Sequence, residues 1–87
     1  MNIFTALKNG QSVLQNNNIK SAELDSEILM SKAISKDKKY IILNSNKPIK
    51  KSELDYFKIL IQERVKYKPI AYLIKKKDFW KERLLMR

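Results

Sequence analysis

The sequence has no cysteine and no histidine, one glycine (Gly10) and two prolines (Pro48 and Pro69) in 87 residues. Without cysteine there is no disulfide, no thiolate metal site and no sulfur nucleophile. Without histidine, the commonest general base and metal ligand is missing as well. A single glycine cannot build a glycine-rich phosphate loop. So few chain breakers favour helices over a turn-rich β fold. No apolar run approaches the roughly 18 residues that a membrane-spanning helix needs. The opening "MNIFTALKNG" lacks a positive n-region followed by a long apolar stretch, so no signal peptide is expected, and the cytoplasm is the default compartment. The length suits one domain with one modest core.

Positive charge, in contrast, is plentiful: the formal net charge is +10. It is also uneven. The first 43 residues hold six Lys/Arg and four Asp/Glu, and the remainder thirteen and five. Such asymmetry can signal a polyanionic partner. However, sixteen of the nineteen cations are lysine, and Lys, Ile and Asn together make 34 of the 87 residues. All three can be encoded by A/T-rich codons, so nucleotide composition accounts for the bias without any nucleic acid.

Apolar spacing predicts four or five helices. Ile3, Phe4, Leu7 and Leu14, with Val13 beside them, fit one helical face, which Gly10 weakens by about 1 kcal/mol relative to alanine. "QNNNIK" ends that helix, since asparagine tolerates turn conformations. Ser21 is the expected N-cap of a second helix, with Glu23 at its positive end and Leu24, Ile28, Leu29 and Ala33 inward, ending near Ile34. Asp37 caps a short third helix through Tyr40, Ile41 and Leu43. After the loop "NSNKPIK" the fourth helix carries Leu54, Phe57, Leu60, Ile61 and Val65 on one stripe. It ends over Lys66–Lys68, before Pro69, which suits the first turn of a fifth helix reaching about Ile74. The final "FWKERLLMR" fits a helix end or a strand equally well. The fold class expected is all-α, a small bundle with short loops.

A search for catalytic groupings finds little. Asp25 and Glu27 are two apart, point in different directions on a helix, and read as solvated or salt-bridged surface acids. Arg64, at the end of the fourth helix, is a candidate for a structural ion pair with Asp25 or Glu27. The run Arg64–Lys77 holds six cations and no acid, with Tyr67 and Tyr72 interleaved. A nucleic-acid reading puts its lysines on phosphates and its tyrosines on bases. The competing reading is a solvated face with tyrosines half-buried at helix junctions. Phe79 and Trp80 follow this run and suggest a contact with something beyond the bundle.

Read as one stretch, "FKILIQERVKYKPIAYLIKKKDFW" resembles the N-terminal helical domain of the HemK-type methyltransferases, which methylate a glutamine of peptide chain release factors. In that family, a helix ending in paired arginines runs into a Gly-Glu-Pro turn. A Pro-apolar-Ala-Tyr-(Ile/Leu) helix follows, then a glycine and an acid-aromatic-aromatic ending. Arg64 matches the second arginine. Pro69, Ala71, Tyr72 and Leu73 match the short helix, and Asp78, Phe79 and Trp80 match the ending. Upstream, "LDSEILM" (Leu24–Met30) is similar to the family's Leu-Asp-Ala-Glu-Leu-Leu-Leu helix, and "PIKKSELDYFKILI" to the segment leading into the arginines. The resemblance covers roughly Ile3 to Leu85. The sequence departs from the pattern at Glu63, in place of the first arginine, at Tyr67 and Lys68, in place of Gly-Glu, and at Lys75, in place of the later glycine.

The resemblance implies that residues 1–78 form a substrate-docking domain and that 79–87 begin a linker hairpin to a methyltransferase domain. That second domain would bind S-adenosylmethionine and hold the substrate glutamine. Neither its glycine-rich loop nor its Asn-Pro-Pro-Tyr motif occurs here, so no catalytic, cofactor-binding or metal-ligating residue is assigned to this chain. The implied partners are a release factor and the chain's own methyltransferase domain, with no membrane. Arg64, Lys66, Lys68, Lys75, Lys76 and Lys77 are the candidate partner-binding residues. Tyr72, Phe79 and Trp80 are the candidate inter-domain junction. The alternative is a stand-alone basic helical module that binds nucleic acid.

Overall fold

The computed structural model describes residues 1–75. They form five helices: α1 (Ile3–Asn16), α2 (Ala22–Ile34), α3 (Lys38–Leu43), α4 (Lys51–Val65) and α5 (Ile70–Lys75). No strand occurs among the described residues, so the expected all-α bundle is what the chain forms. The three long helices pack on one another, α3 lies against α2, and α5 lies against α2 and α4.

The helix boundaries follow local chemistry. Asn2 caps α1 by accepting the Thr5 N–H at 2.7 Å, and Asp37 caps α3 by accepting the Tyr40 N–H at 2.9 Å. Asn18 takes a left-handed conformation (φ 64°) in the turn that ends α1, the role for which asparagine tolerates positive φ. Glu53 reaches back to the Lys50 N–H at 3.1 Å and satisfies a donor at the start of α4. Pro69 opens α5, its carbonyl accepting from the Tyr72 and Leu73 N–H groups. Asp37→Ala is expected to cost about 1 kcal/mol, the usual value of such a cap. Urea unfolding that showed no loss would remove Asp37 from the set of stabilising caps.

The core comprises Ile3, Ala6 and Leu14 of α1, Leu29, Met30, Ala33 and Ile34 of α2, Ile41, and Phe57, Leu60 and Ile61 of α4, with Ile19, Ala22 and Leu73. Several expected positions differ. Phe4 is 49% exposed, Leu24 55% and Leu43 70%, and Ile28 is only half-buried. The buried stripe of α2 is instead Ala22, Asp25, Ser26, Leu29, Met30 and Ala33. A face drawn through apolar residues alone misses it, because two of its members are polar. Ser26 is tolerated inside because its hydroxyl donates to the Glu23 carbonyl at 2.9 Å.

Gly10 also has a different meaning from a weak spot. It is buried, and a Cβ placed there would lie 2.5 Å from Cζ and 2.7 Å from Cε2 of Phe57. The missing side chain is what lets the Phe57 ring of α4 press onto the backbone of α1.

Candidate functional site

The sequence pointed to the corner where α4 turns into α5. The turn is set by Tyr67, whose φ of 65° is the left-handed conformation that follows many helices. It stands where the family resemblance calls for glycine, so tyrosine carries a steric cost of roughly 1–2 kcal/mol there. Its side chain ties the turn to the far end of α1, the hydroxyl donating to the Asn17 carbonyl at 2.9 Å.

Arg64, one residue before the end of α4, faces inward. Its Nε donates to Oδ2 of Asp25 at 2.9 Å and its Nη1 to the Lys68 carbonyl at 3.2 Å. The two side chains are 18% and 6% exposed. Ser21 donates its hydroxyl to the same Asp25 oxygen at 2.8 Å. Ser21 thus sits at the N-cap position of α2, as expected, but spends its side chain on Asp25 and not on the helix backbone. The placement suits both helices: Asp25 lies in the first turn of α2 and Arg64 in the last turn of α4, each favoured by its own helix dipole. Asp25 is therefore a buried ion-pair partner and not the surface acid expected. Of the two acids considered, Glu27 pairs elsewhere, with Lys38 at 3.2 Å. The Ser21–Asp25 spacing of four residues was the legible signal for this network, since i and i+4 share a helix face.

The cations around the corner are also engaged. Lys66 pairs with Glu63 at 3.2 Å, and Lys68 pairs with the other oxygen of the same carboxylate. Lys68 further approaches the half-exposed Tyr72 ring, 6.0 Å from its centroid. The hydrogen bond from Lys68 holds the Glu63 carboxyl below its usual value of 4.5, aided by Lys66 and opposed by burial. A carboxyl lowered by folding stabilises the fold fully above its unfolded value. That contribution disappears as pH falls from about 4.5 through the lowered folded value. Glu63→Gln is expected to flatten the acid limb of a stability-against-pH curve in that window. An unchanged acid limb would show that the pair contributes nothing.

Tyr67, Tyr72 and Ile74 are exposed on this corner, and a hollow of about 40 Å³ lies between Tyr56, Leu60, Glu63, Lys68 and Leu73. That volume is far below the roughly 300–1,000 Å³ of small-molecule pockets, so the corner offers a contact surface and not a ligand cavity. Lys75 closes α5, and Lys76, Lys77, Phe79 and Trp80 lie outside the described residues. Among the described residues no group of three or more Asp, Glu, His or Cys could hold a metal ion, and no helix is long and apolar enough to cross a membrane.

Fold and corner together define a small five-helix bundle, stapled between α2 and α4 by an internal Asp–Arg pair, with a tyrosine- and lysine-bearing edge. This chain belongs to the PrmC N-terminal domain family, whose family model matches residues 5–74. It is 31% identical over 68 residues to a bifunctional methyltransferase of Rickettsia felis, covering 78% of this chain and 13% of that protein. It is 32% identical over 78 residues to a release factor glutamine methyltransferase of Leptospira interrogans (90% and 27%). To the release factor glutamine methyltransferase of Buchnera aphidicola subsp. Baizongia pistaciae it is 38% identical over 60 residues (69% and 22%). The chain thus spans about an eighth to a quarter of the length of these curated relatives. No solved structure matches it.

Proposed function

We propose that this chain is the substrate-positioning domain of a release factor glutamine N5-methyltransferase, with the catalytic centre in a following domain. The observation that carries this reading is the family match across residues 5–74, together with relatives named for that activity. The chemistry of the chain is consistent with it. Methylating one glutamine within a large protein needs orientation beyond the reacting side chain, and remote binding energy supplies it. A chain without histidine or cysteine, whose best-placed acid is spent on an internal ion pair, suits binding better than proton transfer.

S-adenosylmethionine is the methyl donor of the full-length enzyme in this reading, but the residues of this chain do not fit it. The sole glycine, Gly10, lies inside α1 beneath the Phe57 ring and offers no phosphate or nucleoside loop. We assign the cofactor to the following domain, residues 1–78 to the docking unit, and 79–87 to the start of the linker. The release factor meets the α4–α5 corner through Lys66, Lys68 and Lys75–Lys77, while Tyr72, Phe79 and Trp80 adjoin the second domain. Arg64 supports this face from behind by holding the Lys68 carbonyl. The enzyme acts in the cytoplasm, where release factors work, and neither nucleic acid nor membrane is its partner.

Titration of the isotope-labelled 87-residue chain with a bacterial class I release factor tests the reading. Amide shifts centred on Lys66, Lys68 and Tyr72 are expected. Shifts confined to residues 1–20, or none at millimolar concentration, overturn it.

A further inference from the structure

A second surface, on the opposite end of the bundle from the α4–α5 turn in chain order, gathers cations that have no acidic partner. The loop between α3 and α4 is sewn to the start of the chain: Ile3 N–H donates to the Lys47 carbonyl at 3.0 Å, Phe4 N–H to Ser45, and Ile49 N–H to Met1, with an antiparallel bridge between Asn2 and Pro48. This stitching leaves a groove of about 250 Å³ between the loop, the end of α2 and the start of α3. Ile3, Ile34 and Tyr40 give it an apolar wall, and Lys36, Lys47 and Lys50 line it with positive charge.

These three lysines differ from those that the sequence singled out. Lys66 and Lys68 are neutralised by Glu63, and Lys38 by Glu27. No ion pair reaches Lys36, Lys47 or Lys50 among the described residues. The two nearest carboxylates are occupied with helix starts. Glu53, itself in the groove lining, accepts from the Lys50 N–H, and Asp37 accepts from the Tyr40 N–H. A concave apolar surface ringed by unneutralised ammonium groups favours an occupant with negative charge around an apolar centre.

We propose that this groove is a docking site for an acidic protein segment, one aliphatic or aromatic side chain entering the apolar wall and flanking carboxylates pairing with Lys36, Lys47 and Lys50. The volume favours a single inserted side chain, because it falls below that of a small-molecule pocket. A nucleic acid is disfavoured. Its bases would need an open aromatic face to stack on, and the one aromatic here, Tyr40, already has the Lys36 ammonium 5.3 Å from its ring centroid. This docking site stands independently of the methyltransferase reading, since its partner is defined by charge and shape alone.

The test is NMR titration of the 87-residue chain with three probes: the acetylated, amidated hexapeptide DELFDE, the same peptide with its central pair replaced (DEGGDE), and a single-stranded hexauridylate. DELFDE is expected to shift the amides of Ile3, Ile34, Tyr40 and Lys47, and to bind at least tenfold more tightly than either other probe. The triple substitution Lys36→Glu, Lys47→Glu, Lys50→Glu is expected to weaken DELFDE at least tenfold with an unchanged far-ultraviolet circular dichroism spectrum. Should that variant unfold, the single change Lys47→Glu replaces it, with an expected threefold loss. Shifts on any other face, equal binding of DEGGDE, tighter binding of the hexauridylate, or full affinity in the charge-reversed variant each overturn the proposal.

Discussion

Arg64→Met is expected to destabilise the domain by about 3–4 kcal/mol, because it strands a carboxylate inside the bundle. Asp25 is 6% exposed, and once Arg64 is gone only the Ser21 hydroxyl remains to solvate it. Asp25→Asn should cost less. Arg64 is 18% exposed, so its charge reaches some water, and its Nη1 keeps the Lys68 carbonyl. Arg64→Lys is not a conservative change here, since an ammonium cannot span the Asp25 carboxylate and the Lys68 carbonyl as the guanidinium fork does. The double variant Asp25→Leu/Arg64→Leu removes both charges together. It is expected to lie closer to the parent than Arg64→Met does, as paired removal of buried ions often proves neutral. Urea denaturation of the four proteins measures all of this. In contrast, the exposed Glu27–Lys38 pair should be worth under about 1 kcal/mol. If Arg64→Met cost no more than that, the ion pair would not be what fastens α2 to the end of α4.

Phe57→Ala is expected to cost about 3–5 kcal/mol, the range for emptying a buried aromatic position. Phe57 is 1% exposed, and its ring spans the crossing of α1 and α4. The sharper test couples it to Gly10. In the parent protein, Gly10→Ala forces a methyl group to within 3 Å of two ring carbons and is expected to destabilise, although alanine is the better helix former by about 1 kcal/mol. With Phe57→Ala in place the obstacle is gone, so the same Gly10→Ala change should become neutral or stabilising. Thermal unfolding of the two singles and the double gives the coupling energy. Additive effects would mean that the ring does not rest on Gly10.

These two sites also show why part of the molecule was legible in advance and part was not. The helices were readable because their ends are encoded locally. Asp37 lies three residues before the N–H it caps, the asparagines after α1 adopt the left-handed turn, and Pro69 sits at the break between α4 and α5. The stripe of α4 was readable because its buried members are apolar. The stripe of α2 was not, because Asp25 and Ser26 belong to it, and a polar residue is buried only when a distant partner answers it. Leu24 took its place in an apolar reading and lies outside. The α4–α5 corner was correctly singled out as distinctive, but its cations were read as free. Their neutralisation by Asp25 and Glu63 depends on side-chain geometry that charge counting does not contain.

By itself the sequence determined the helical class, the order and ends of the five helices, and the family to which the chain belongs, because caps, periodicity and motif spacing act over a few residues. Only the tertiary structure decided which of the two acids meets Arg64, why Gly10 must lack a side chain, and that Lys36, Lys47 and Lys50 share one groove. Each of these is a contact between residues that are distant in the chain, and burial, not local propensity, sets its energy.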